Sequence, residues 1–210
     1  MLSVSSVVNK KFIPPAHLIA PPTSTLPPDK PSKKVRPSMK PNLTFRQCPQ
    51  CGHPQTPEDK IPFVCQSCEY TYFFNPTIAA AGLILNQEGN MLFIERAKEP
   101  AKGKLAVVGG FIDAGEIAEE ALEREIKEEV GLVVSDIQYL ACYPNQYTYK
   151  NITYPVLDFF FTARCNNTET QLDPTEVTGC HWLNPMEVSE SDLAFPSMQK
   201  ALTRWKTTNK

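Results

Sequence analysis

Apolar positions along the chain change period several times, and each change marks an element. Thr77–Leu85, TIAAAGLIL, is an unbroken apolar run of strand length. Asn86-Gln87-Glu88-Gly89-Asn90 reads as a hairpin turn, and Met91–Glu95 as the returning strand. Ala118–Val130 has the composition of a helix: Leu122, Ile126 and Val130, four apart, make one apolar stripe, and Gly131 provides the stop. Val133–Ala141, Tyr154–Arg164 and Glu176–Trp182 read as strands, and Ser197–Lys206 as a terminal helix. Hairpins intermixed with helices predict a mixed-sheet α/β or α+β sandwich. No run approaches the roughly 18 apolar residues that a membrane-crossing helix needs.

The first 45 residues carry neither a helical nor an alternating period. Nine of the 20 prolines fall before residue 47, as do eight Lys or Arg against the single acid Asp29. That stretch has a net charge of +7, which leaves −9 for the remainder of a chain whose total is −2. The expected organisation is therefore a disordered, basic, Pro-rich tail over 1–45, a small lobe over 46–75 and the main domain over 76–207. The start, MLSVSSVVNKKFI, is too short in apolar residues for a secretory signal. Its basic, acid-poor character permits an organellar transit peptide, although dense prolines would break an amphipathic helix. A start at Met39 is another reading. A folded part with nine excess negative charges is poorly suited to nucleic acid, whose affinity comes largely from cations on phosphates. It is well suited to divalent cations.

Cys48-Pro-Gln-Cys51 and Cys65-Gln-Ser-Cys68 are two CxxC turns separated by thirteen residues. Two thiolates on each tight turn complete a tetrahedral set of four, which suits Zn²⁺ and leaves no open position for water. The spacing thus points to a structural zinc ribbon, in which the metal supplies folding energy that some thirty residues cannot. His53 and Asp59 lie nearby but are not needed as ligands. Seven cysteines, an odd number, argue for a reducing compartment, and cytoplasmic is the expectation.

Gly110–Leu132, GFIDAGEIAEEALEREIKEEVGL, carries the candidate chemistry. At 100° per residue, Glu125, Glu128 and Glu129 fall within roughly a 100° arc beside the apolar stripe. Ala118 and Ala121 are expected on the glutamate side, leaving room for a ligand. Glu120, Glu123 and Lys127 take the solvated side. Neighbouring carboxylates repel one another unless cations lie between them, and hard oxygens suit Mg²⁺ or Mn²⁺. A solvated acidic helix has the same spacing, but glycines at 109, 110, 115 and 131 flank this one and permit close approach of a ligand.

At this point the sequence resembles the Nudix hydrolases, whose signature is G-x5-E-x7-R-E-U-x-E-E-x-G-U with U aliphatic. Gly110, Glu116, Arg124, Glu125, Ile126, Glu128, Glu129, Gly131 and Leu132 occupy all nine fixed places, a chance match on the order of one in a billion per window. The resemblance runs loosely from Pro76 to Trp205. It implies an α/β/α sandwich and attack of a metal-activated water on a diphosphate. Glu125, Glu128 and Glu129 would be metal ligands, together with the carbonyl of Gly109. Glu116 would stand near them, and Arg124 would orient a glutamate. The general base varies in this family, and Glu129, Asp158 and Glu176 are the candidates. Val108 stands where many relatives have Pro.

A zinc ribbon ahead of such a domain resembles the NADH pyrophosphatases and a group of ADP-ribose or FAD pyrophosphatases. The former carry an SQPWPFPxS-like motif after the box; Cys142–Tyr149, CYPNQYTY, stands here instead. A nucleoside diphosphate linked to another group, with ADP-ribose first, is the implied substrate, and an NADH or FAD pyrophosphatase is the alternative. A non-catalytic nucleotide- or RNA-binding module is the competing class. Tyr143, Tyr147 and Tyr149 would either stack on a base or alternate as strand residues. Tyr147, Tyr149 and Arg96 are the substrate-binding candidates. A homodimer is compatible with the sequence.

Overall fold

The computed structural model describes residues 38–209. The chain enters through a small lobe whose ladder pairs β1 (Phe63–Val64) with β2 (Thr71–Tyr72). Its apolar interior is aromatic: Phe45 packs on Phe63, Tyr72 and Phe74 with ring centroids 4.9–5.5 Å apart. Residues 38–45, expected to belong to the disordered tail, are built into the structure. Met39 bridges to the backbone at Asn151 and Thr153, and Pro41–Thr44 forms a 3-10 turn. Asn42 is buried, donating to the Glu58 carbonyl and to Asp59. Proline-rich composition hid this, because backbone and side-chain partners distant in sequence, rather than a local period, hold the segment. The rest of the expected tail lies outside the described residues.

The main domain is a seven-stranded mixed sheet between two helices. Its strands are β3 (Thr77–Leu85), β4 (Met91–Arg96), β5 (Leu105–Ala106), β6 (Val108–Phe111), β7 (Ser135–Tyr149), β8 (Ile152–Arg164) and β9 (Val177–Leu183). The path runs β5-β4-β3-β8-β7, with β6 added to β3 and β9 to β4. Only β3 and β8 run parallel; the other neighbours are antiparallel. β3 is buried on both faces, which explains its unbroken apolar run. Ala80 and Ile84 point to one face and Ala81 and Leu83 to the other. The first face packs on α1 (Ala118–Val130) through Leu122, Ile126 and Val130, the second on α2 (Pro196–Thr208) through Ala201, Leu202 and Trp205.

Helix α1 has the bounds that the pattern predicts. Gly131 closes it in the left-handed region at φ +71°, its N–H donating to the Lys127 carbonyl. Gln171 and Asp173 donate to the carbonyls of Val130 and Glu129, which satisfies the helix end. Ala121 departs from expectation. It is fully buried in the core with Ala118 packed beside it, so neither residue is spare room for a ligand. Among the described residues no helix is long and apolar enough to cross a membrane.

Candidate active site and cysteine cluster

A cleft of about 410 Å³ opens where α1, the β6 strand and the β7–β8 hairpin converge. Two adjacent glycines shape its floor for different reasons. Gly109 pairs with Ala81 at φ +151°, and a Cβ there would lie 2.6 Å from Ala81 Cα and closer still to the Ala80 carbonyl oxygen. Gly110 has no such backbone demand. A Cβ there would lie 2.6 Å from Oε2 of Glu125, and nearer to Oε1, so its hydrogen leaves the volume that this carboxylate fills.

The three glutamates of one helical arc meet at this floor. Glu125, Glu128 and Glu129 all line the cleft, as do Asp158, Asp173 and Glu176. The one cation among the described lining residues is Arg96, whose guanidinium lies 5.0 Å over the Phe195 ring. Glu129 is the most enclosed of the box glutamates. Burial, with Glu125 and Glu176 adding repulsion, pushes its carboxyl up to about 8, despite a 3.4 Å hydrogen bond from the Gly109 N–H and the attraction of Arg96. Burial also raises Glu125, against the pull of Arg124. Glu129, enclosed and with Arg96 as the one lining cation, stands beside the hard oxygen donors of Glu125 and Glu128, a donor set of the kind a divalent cation takes.

Arg124 organises the helix side of the cleft. It grips Glu116 with two bonds, Nε to Oε1 at 2.9 Å and Nη2 to Oε2 at 3.0 Å, and reaches Glu125 at 2.8 Å and Glu128 at 3.3 Å. Nη2 also donates to the Phe111 carbonyl, tying α1 to β6. That pair holds the Glu116 carboxyl below its ordinary range and raises Arg124. Glu116 does not line the cleft; its contacts are with Arg124 and the Asp113 N–H.

Of the three candidate bases, all line the cleft and each is held differently. Glu176 is paired with Lys98. Asp158, on β8, is 6% exposed, and burial raises it while hydrogen bonds from Ser197 and Asn145 draw it back. Tyr147 lines the cleft, edge-on to Phe111 at 5.7 Å. Tyr149 does not. It lies at the hairpin tip with Lys150 over its ring. Tyr143 packs with Phe160 in the core under α2. Phe111, Asn145, Asp173, Phe195 and Met198 also line the cleft. Pattern did not single them out, because they come from β6, β7, the segment before β9 and the start of α2, and only the fold brings them together.

In the small lobe, the Sγ atoms of Cys48, Cys51, Cys65 and Cys68 lie within 4.8 Å of one another. Cys48–Cys68 and Cys51–Cys65 are each 3.7 Å apart, far too long for a disulfide. A tetrahedron with metal–sulfur bonds of about 2.3 Å has edges near that length. Burial resists ionisation of Cys65, but backbone N–H groups at Cys68 and Ser67 outweigh it and bring the thiol down to about 6. The donor set fits a soft, four-coordinate cation. His53 is absent from the cluster, and Asp59 is paired with Lys40 instead.

The family model of the NUDIX domain matches residues 75–205. Among curated proteins, the NAD-capped RNA hydrolase NudC of Salmonella heidelberg is 27% identical over 136 residues, covering 64% of this chain and 50% of that protein. The protein of the same name from Citrobacter koseri is 26% identical over the same length and coverage. The chain spans about half the length of the curated relatives it matches. Among solved structures, a NUDIX hydrolase from Nitrosomonas europaea superimposes with a TM-score of 0.62 at 21% identity, over 79% of this chain and 92% of that one. The NUDIX domain of Shewanella oneidensis NrtR, complexed with ADP ribose, gives a TM-score of 0.55 at 20% identity, over 66% and 91%. These superpositions establish the fold.

Proposed function

The chain belongs to the Nudix family, and from that premise we propose that it hydrolyses the diphosphate bond of a nucleoside diphosphate linked to a second group, with ADP-ribose as first choice. The observation that carries this is the convergence of Glu125, Glu128 and Glu129 with the Gly109–Gly110 floor in one cleft that also presents aromatic faces. Glu125, Glu128, Glu129 and the Gly109 carbonyl would hold Mg²⁺ or Mn²⁺. An ion bound there would neutralise the diphosphate and lower the pKa of a coordinated water.

The remaining work belongs to the chain's own residues. Arg124 holds Glu125 and Glu128 in register through a shared guanidinium and fixes Glu116 behind them. Glu129, enclosed by the floor, or Glu176, steadied by Lys98, would take the proton of an attacking water. Tyr147 and Phe111 offer faces and edges against which a base or second ring can pack. Zn²⁺ in the four-cysteine cluster would hold the lobe over 46–75 as a structural unit ahead of the hydrolase domain over 76–207. None of the seven cysteines is joined in a disulfide, which favours a reducing compartment such as the cytoplasm.

A second reading takes an NAD-type dinucleotide as substrate, free or at an RNA end; the names of the curated relatives favour it. One panel separates the readings. ADP-ribose, NADH, FAD and an NAD-capped oligoribonucleotide are incubated with Mg²⁺, with Mn²⁺ or with EDTA, and products are resolved by chromatography. Metal-dependent release of AMP from ADP-ribose at the highest kcat/KM supports the first reading. Preference for NADH or the capped RNA supports the second, and turnover of none of them refutes both.

A further inference from the structure

If the glutamate end of the cleft takes the diphosphate, as proposed above, the rest of the cleft must recognise what the diphosphate carries. Asp158 has an arrangement suited to that. Two donors, Asn145 Nδ2 at 2.9 Å and Ser197 Oγ at 2.5 Å, converge on the same oxygen, Oδ2. Ser197 is wholly buried in the first turn of α2 and Asn145 stands on β7, so three elements fix the carboxylate from behind. Oδ1 has no hydrogen-bond partner among the described residues. It is not sealed either, since among the described residues the one fully enclosed side-chain polar atom without a partner is Trp182 Nε1. One oxygen is thus saturated and the other is open on the cleft that Asp158 lines.

Its place in the sheet supports a role away from the diphosphate. Phe111, Ala79 and Asp158 stand in one row across β6, β3 and β8. Asp158 is therefore two strand spacings, roughly 10 Å, from the strand that carries Gly109 and Gly110. In its ionised form this carboxylate repels phosphate, and its open oxygen then accepts. The complementary group is a neutral donor: a hydroxyl or an amino group.

We propose that Asp158 determines specificity in this cleft, its Oδ1 accepting a hydrogen bond from a ribose hydroxyl or an exocyclic amine of the nucleoside. The Asp158→Asn change tests this with little change of shape. Asn145 and Ser197 both donate, so they hold the new amide oxygen and turn its NH₂ to the cleft, where a donor then faces a donor.

The full chain and the D158N variant are titrated with ADP, 2′-deoxy-ADP, 3′-deoxy-ADP and IDP in Mg²⁺ by calorimetry, and kcat and KM are measured on ADP-ribose. Wild type should bind at least one analogue roughly 10- to 100-fold more weakly than ADP, the size of a hydrogen bond to a charged group. The deoxy compounds identify a hydroxyl and IDP an amine. D158N should lose a similar factor on ADP, cease to distinguish that analogue, and show its loss more in KM than in kcat. Equal wild-type affinity for all four ligands overturns the proposal without need of the variant. Unchanged ADP affinity in folded D158N overturns it too, as does a loss confined to kcat, which would make Asp158 a proton acceptor. Failure of the hydrolase reading would look different: wild type would bind ADP and discriminate its analogues, yet turn over no diphosphate.

Discussion

Adding one methyl group to Gly110 should disable the cleft while leaving the fold standing. A Cβ at this position would fall 2.6 Å from Oε2 of Glu125, and closer to Oε1, where an ordinary contact is above 3.4 Å. The backbone cannot retreat, because Gly110 is paired with Ala80 in the sheet. The carboxylate must therefore move by about 1 Å, which also stretches its 2.8 Å bond to Arg124. A misplacement of that size in a positioned group costs about 100-fold, or roughly 2.7 kcal/mol in transition-state stabilisation. The effect on stability is small. Loss of one partly exposed hydrogen bond costs about 1 kcal/mol, and replacing Gly by Ala in a strand returns roughly 0.5–1 kcal/mol. The neighbouring substitution Gly109→Ala is the control. Its Cβ would strike the backbone of Ala80 and Ala81 at a φ of +151°, so it should lower Tm by several degrees or prevent folding. The assay is kcat/KM on the best diphosphate beside a thermal melt of each variant. Near-normal kcat/KM in Gly110→Ala would refute the placement of Glu125. A collapse of Tm in Gly110→Ala equal to that in Gly109→Ala would refute the distinction between the two glycines.

Two further outcomes follow from the small lobe and the chain start. Purified protein should contain about one zinc per chain, and Cys65→Ser should lose it and melt earlier, with residual kcat in the fraction that stays folded. Elemental analysis and thiol titration check this, and four freely reactive thiols with no zinc would contradict it. A chain beginning at Ser38 should keep kcat and KM within a few-fold, since every lining residue of the cleft among those described lies between Ala79 and Met198; a tenfold or larger loss in zinc-loaded protein would show that residues 1–37 reach the site.

Much of this molecule is legible in its sequence where local physics decides. Helix α1 and strand β3 have the bounds the pattern predicts, because an apolar stripe with a Gly stop, or a run buried on both faces, leaves little competition. The Asn86–Asn90 turn is written just as locally, with the Asn86 side chain accepting from the Asn90 N–H. β7 is different. It begins two residues late and runs eight residues past Ala141 into the polar stretch Cys142–Tyr149, which is strand only because β8 pairs with it along its length. β6 is invisible for a similar reason. Val108-Gly-Gly-Phe111 has poor strand propensity, and its register is set by β3. The box glutamates could be grouped from 3.6-residue periodicity alone. Phe195, Asn145 and the buried Ser197–Asp158 bond could not, since they join residues from 13 to 99 positions apart.

The most direct measurement of the central claim is turnover by Glu129→Gln beside wild type, each assayed in EDTA and after return of Mg²⁺ or Mn²⁺. Glu129 sits enclosed against the Gly109 N–H, with its carboxyl pushed up to about 8, chiefly by burial with repulsion from Glu125. Gln keeps the volume and an oxygen for the Gly109 N–H but cannot become the anionic ligand a cation needs, so the fold should hold. Wild type should stop in EDTA and recover with added metal while zinc stays in the cysteine cluster. The variant should lose at least 100-fold, roughly 2.7 kcal/mol or more. Near-normal turnover by folded Glu129→Gln, or wild-type turnover indifferent to EDTA, would contradict a catalytic metal site on this helix.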